Sequence, residues 1–149
     1  MAGNMTEPEL TETFYQRVCC GNTEALDFLR RWTIYAHAVD DIVDGDLTNK
    51  EGIIAAFIAA GELYTHPFFQ KHQGLLCGVI VSVTNQWADT VSIENNNTSS
   101  KDLKEWAEHA RHCGQEMVAA VAYLCGGWQH ARSMSLEQRK LTYAHENSH

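Results

Sequence analysis

Proline is scarce in this 149-residue chain: Pro8 and Pro67 are the only two, and both suit the first turn of a helix. No apolar run approaches the ~20 residues of a membrane span, so no integral membrane segment is expected. Met1–Glu7 lacks the basic start and apolar core of a secretion signal. The five cysteines are an odd number with no C-x-x-C spacing, and the adjacent Cys19 and Cys20 are poorly placed to pair with each other. Reduced thiols, mostly small core residues, in a cytoplasmic protein are the expectation, without cysteine-bound zinc. Basic residues are also few, 11 against 19 acidic, for a net charge of −8. That balance argues against nonspecific binding to nucleic acid or an anionic membrane. It leaves room for an anionic substrate bridged by a metal. There is no G-x-S-x-G, P-loop or G-x-G-x-x-G, and the Asn97-Thr98-Ser99 sequon means little without a secretion signal.

What is present is helical. The length and the 44% hydrophobic content suit one domain with a proper core. A first helix is expected over 6–20, with Leu10, Phe14 and Val18 facing inward and Gly21-Asn22 ending it. A second runs over 23–44 to Gly45. Thr48-Asn49-Lys50-Glu51 has the form of a capping box for a third, reaching about Thr65. Pro67 restarts a short helix that breaks near Gly74. Val79–Thr84 is β-branched and could be a strand, but its length and the lack of a partner strand favour a helix over 75–93. After the polar Glu94–Ser99 loop, Ser99 or Ser100 caps a long helix to about Cys125, ended by Gly126-Gly127. A last helix opens at Ser135-x-x-Gln138. The expectation is a single all-α domain over 1–149, a bundle of about five to seven helices, with a mobile polar N-terminal segment and C-terminal tail.

The second helix carries the chemistry. Phe28, Leu29, Trp32, Ile34, Tyr35, Ala36, Ala38, Val39, Ile42 and Val43 cover over half its circumference, which predicts a mostly buried element. Arg30, Thr33, His37, Asp40, Asp41 and Asp44 occupy the remaining stripe. A solvated face is the ordinary meaning of such a stripe. Here, however, the acids crowd the C-terminal end, where the helix dipole disfavours negative charge. Carboxylates at these spacings repel unless a cation sits among them, and Mg²⁺ is the natural partner for oxygen ligands.

On the 75–93 helix, Gly78, Ser82, Asn85 and Asp89 form a second polar row. Asn85 and Asp89, one turn apart, either complete the oxygen shell opposite Asp40 and Asp44 or belong to a plain surface row. On the long helix, Glu105, His109, His112 and Glu116 lie away from the apolar stripe. They form either a second metal site or, more simply, a solvated face of i,i+4 pairs. Arg111, Arg132 and Lys104 could meet a phosphate, but nothing in the sequence selects among them.

Tyr35–Asp44 includes the pattern D-D-x-x-D at Asp40-Asp41-Ile42-Val43-Asp44, and this segment resembles the first aspartate-rich motif of squalene/phytoene synthases, all-α class I isoprenoid synthases. Asn85-Gln86-Trp87-Ala88-Asp89 is similar to that family's second motif. The resemblance implies Mg²⁺ ligands at Asp40, Asp41 and Asp44, joined by Asn85 and Asp89, gripping the diphosphate of a prenyl substrate. His37, Arg30 and Tyr35 would lie beside that substrate. It further implies a transferase that generates an allylic cation in an apolar cavity, with Tyr35, Phe57, Phe68 or Trp87 offering π faces. The chain is about half the family's usual size, and a homodimer could complete such a cavity. Two other readings fit the same residues. One is an all-α nucleotide pyrophosphohydrolase using Mg²⁺ and clustered acids. The other is a non-catalytic helical binding protein, recognisable by a large exposed apolar surface.

Overall fold

Helix α1 (Glu7–Val18) stops because the backbone turns left-handed: Cys20 has φ 51° and Gly21 φ 81°. The computed structural model describes residues 7–147. Asn22 then caps α2 (Thr23–Val43), its side-chain oxygen accepting the Ala25 N–H at 3.0 Å. Ala25, Phe28, Leu29 and Trp32 of α2 are buried. Beyond Trp32 burial thins out, and Ile34 and Val43 are exposed. The expectation of a helix buried along most of its length is corrected here. Its N-terminal half sits in the core, while its acidic end has only partial cover.

α3 (Lys50–Tyr64) starts at Asn49 rather than at Thr48, with Asn49 Oδ1 accepting the Gly52 N–H. The capping unit thus shifts one residue from the predicted Thr-x-x-Glu box, because asparagine is at least as good a cap as threonine. α4 (Pro67–Lys71) is capped by His66, whose Nδ1 accepts the Phe68 N–H at 3.2 Å. α5 (Gln73–Glu94) starts just after the joint at His72, and the β-branched run lies inside it. Leu76, Ile80, Val83 and Thr90 are its buried residues, a helical spacing.

α6 (Lys101–Ala110) is capped by Ser100 Oγ, as expected, but ends far short of Cys125. A 3₁₀ turn at Arg111–Gly114 interrupts the path, with His112 at ψ 15°. α7 (Gln115–Asn147) follows, kinked at Gly127, where φ 84° and ψ −175° are open to glycine alone. No new helix opens at Ser135: the second arm of α7 runs through it and on to Asn147, so the expected C-terminal tail is helical that far. His149 and the predicted mobile segment over 1–6 lie outside the described residues.

Among the described residues there is no β-strand, and the fold is an all-α bundle. Phe14, Val18, Phe28, Leu29, Leu63, Phe68, Leu76, Met117 and Val121 form the core, drawn from α1, α2, α3, α4, α5 and α7. Phe28 is its pivot, fully buried with its ring 5.4 Å from Phe68 and 5.7 Å from His66. Leu10 was expected in the inward row with Phe14 and Val18 but is 48% exposed, near the free end of α1. Arg30 pairs with Glu12 to tie α2 to α1, and Arg17 grips both carboxylate oxygens of Glu137 to tie α1 to α7. No described helix is long and apolar enough to cross a membrane.

Candidate functional site

A hydrogen bond joins the acidic end of α2 to α5: the Trp87 indole N–H donates to Asp40 Oδ1 at 3.2 Å. Asp44 lies one turn on and is exposed. Its carboxyl pKa is pushed up, chiefly by the neighbouring charge of Asp40, then by burial and by Asp46. Arg111, from the 3₁₀ turn, opposes that rise. The structure therefore picks out Arg111 from the three basic residues that the sequence left equivalent. The geometry that does so is a break in the long helix, which spacing did not announce.

Asp41 faces another way. It is exposed, and its backbone carbonyl accepts the N–H groups of Asp46 and Leu47 as the chain leaves α2. His37 is exposed. Arg30 is held by Glu12, and ten residues of helix separate it from Asp40, about 15 Å along the axis. Tyr35 joins an aromatic group instead, 5.8 Å from Trp32 and 6.2 Å from Tyr64. Burial and a hydrogen bond with Tyr35 push the Tyr64 hydroxyl up to about 12.

Asn85 and Asp89 are not brought to the acids. Each is two positions from Trp87, a rotation of about 200° around α5. Since Trp87 points at Asp40, they fall on the opposite face, and both are exposed. Their row with Gly78 and Ser82 is the solvent side of α5. Among the described residues no three His, Cys, Asp or Glu side chains converge as a metal site. Asp40 and Asp44 thus supply a pair of carboxylates with Arg111 nearby, short of a full cage.

The row on the long helix is split by the 3₁₀ turn, and its parts meet α7. His109 Nδ1 lies 3.0 Å from the Tyr143 hydroxyl, and the His112 ring stands edge-on to Tyr143 at 6.4 Å. Glu116 accepts from Arg139, which also donates to Gln115 Oε1 at 2.6 Å. These residues line a shallow cleft of about 270 Å³. Glu105 stays on α6, within 3.8 Å of Lys101. His109 and His112 tie α6 and the 3₁₀ turn to the second arm of α7, and Glu116 ties the two arms of α7 to each other, roles that sequence spacing could not distinguish from metal ligation.

No protein-family model, curated protein or solved structure matches the chain.

Proposed function

We propose that this chain binds a prenyl diphosphate together with Mg²⁺ at the exposed end of α2, as an isoprenoid-synthase-like transferase. The observation that carries the reading is the Asp40–Asp44 pair. The charge of Asp40, a turn away, raises the pKa of Asp44, and the charge of Arg111 acts on Asp44 in the opposite direction. Mg²⁺ commonly takes one or two carboxylates and fills the rest of its shell with water and substrate phosphate oxygens. Asp40 and Asp44 fit that role, and Arg111 offers a point charge for the diphosphate. Bound there, the metal would neutralise the diphosphate as a leaving group. Asp41, Asn85 and Asp89 have no part in this version of the site.

Thermal shift tests it. Mg²⁺ with farnesyl or geranylgeranyl diphosphate raises the Tm, whereas either alone gives less, and Asp40→Ala abolishes the joint effect. Stabilisation by nucleoside triphosphates with Mg²⁺, and not by prenyl diphosphates, would favour the pyrophosphohydrolase and reject this reading.

A second reading, a non-catalytic binding protein, is favoured by the outer face of α3. Ile54, Phe57 and Ile58 are all exposed there, Phe57 by 73%, with no charged residue between Gly52 and Gly61. An exposed apolar face of this kind marks an interaction surface. A second copy of this chain would suit it, since two molecules of charge −8 approach most easily through an uncharged face. Light scattering of wild type against Phe57→Glu distinguishes a dimer from a monomer.

A further inference from the structure

The two arms of α7 lie back along each other. Glu116, in the first turn of α7, accepts from Arg139, and Gln115 donates to Thr142 Oγ1 at 2.7 Å, across 23 and 27 residues of chain. An unbroken helix holds residues 23 positions apart about 35 Å from each other, so Gly127 reverses the chain rather than merely bending it. It does so alone, as the one residue of α7 with non-helical φ and ψ. Two helical arms, 115–126 and 128–147, thus pack together on a hinge of a single residue.

The second arm is held by contacts with the rest of the chain. Ala131 and Met134 are buried in the core. His130 Nε2 donates to the Val18 carbonyl at 2.8 Å, and Glu137 pairs with Arg17, so both reach α1. The Tyr143 hydroxyl lies 3.0 Å from His109 Nδ1 on α6. None of these contacts requires arm and body to belong to one molecule: an arm from a second copy makes the same set. The hinge is the exception. Gly127 sits at φ 84° and ψ −175° with no loop residue beside it to give slack, and short hinges of this kind invite exchange between copies. With helical φ and ψ at 127, α7 becomes one straight helix of 33 residues, about 50 Å long, which carries the second arm away from its own body.

We propose that the second arm of α7 is an exchangeable element: two copies of this chain swap residues 128–147, with Gly127 straightened to helix in each, and close into a two-fold dimer. Each arm fills the place the other has left, so the buried Ala131 and Met134, the Arg17–Glu137 pair and the His109–Tyr143 contact are all regained between molecules. Because the contacts are the same in both forms, the hinge conformation and the protein concentration set the balance between monomer and dimer. The exchange makes no use of the exposed apolar face of α3, and it stands whether or not that face binds a partner.

The test refolds the full chain from urea at rising protein concentration and reads mass by light scattering. Wild type yields a dimer fraction that grows with the refolding concentration and persists on dilution, because separation requires both arms to leave their cores. Gly127→Ala disfavours the positive-φ hinge and favours the helix, so it raises the dimerisation constant by at least about a hundredfold. Two glycines inserted after Gly127 slacken the hinge and return the chain to monomer. Gly127→Ala/Phe57→Glu dimerises as Gly127→Ala does. To show the exchange itself, Arg17→Lys is refolded as an equal mixture of ordinary and nitrogen-15 chains, and a carbodiimide joins the new lysine to Glu137. In a swapped dimer about half of the joined peptides carry two different isotopes, whereas in an unswapped one both always come from one chain. A wild type that stays monomeric at every concentration, joined peptides of a single isotope only, or loss of the dimer on Phe57→Glu overturns the proposal. The isotope map, made with the native hinge, decides the matter even if Gly127→Ala folds poorly.

Discussion

The Trp87 indole N–H, donating to Asp40 Oδ1 at 3.2 Å, joins the acidic end of α2 to α5. It orients the Asp40 carboxylate and, by the same geometry, turns Asn85 and Asp89 to the far side of α5. Trp87→Phe keeps most of the ring but removes the donor. A hydrogen bond to a charged group contributes more than a neutral one, so the expected loss is about 1–2 kcal/mol in urea unfolding. Asp40→Asn/Trp87→Phe, set beside the two single variants, shows whether that loss belongs to this pair. Additive losses would mean that it does not.

Asp40 also sets the charge state of its neighbour. Removing its charge by Asp40→Asn brings the Asp44 carboxyl down toward the ordinary carboxylate range, read by NMR titration. The sign of the linked stability follows. Asp44's pKa is raised in the folded state, so its ionisation opposes folding, and that cost fades as pH falls through the folded value. Wild type is therefore expected to lose less stability on mild acidification than its other carboxylates alone would dictate, and Asp40→Asn removes that relief. Identical titrations of Asp44 in the two proteins would refute the coupling.

Glu12 and Glu137 titrate the other way. Hydrogen bonds from Arg30 and Arg17 hold their carboxyls low. Their stabilisation is present above the unfolded carboxylate value and disappears as pH falls through the lowered one. Both pairs are solvent-exposed, so each is expected to contribute little to stability and to weaken with salt. Glu137→Gln in low and high salt measures it.

His66 does two things at once. Nδ1 caps α4, and Nε2 lies 2.8 Å from Asp27 Oδ2 on α2. The backbone donor fixes the tautomer with its proton on Nε2. His66→Ala loses both and should cost about 2–3 kcal/mol, whereas His66→Asn restores a cap and recovers roughly 1 kcal/mol. Equal losses in the two variants would show that the cap contributes nothing.

The kink in α7 depends on its glycines. Gly127→Ala places a side chain at φ 84° and ψ −175°, a conformation costing about 1–3 kcal/mol. At Gly126 the obstacle is contact, because a Cβ there would strike the His130 ring. Thermal unfolding of both variants, with a lower Tm in each, checks this.

Helix identity and most helix ends were legible because they depend on local chemistry. Asn22, Ser100 and Pro67 act within a turn of themselves, and the glycines at 21, 45 and 127 all have positive φ. Thr48 misled by one residue because Asn49 is a competing cap. The break at Arg111–Gly114 was not legible: its sequence lacks proline, and what accompanies it, the burial of Cys113 with its thiol donating to the Val83 carbonyl, is a tertiary contact.

The candidate site divides along the same line. The crowding of Asp40, Asp41 and Asp44 at the unfavourable end of a helix follows from spacing alone, as does the separation of apolar from polar rows, because 3.6-residue periodicity is a property of one helix. Which rows face each other depends on how helices rotate when their core residues pack. Trp87 turning toward Asp40, Asn85 and Asp89 turning away, Arg30 caught by Glu12, and the charge of Arg111 felt at Asp44 are all such outcomes.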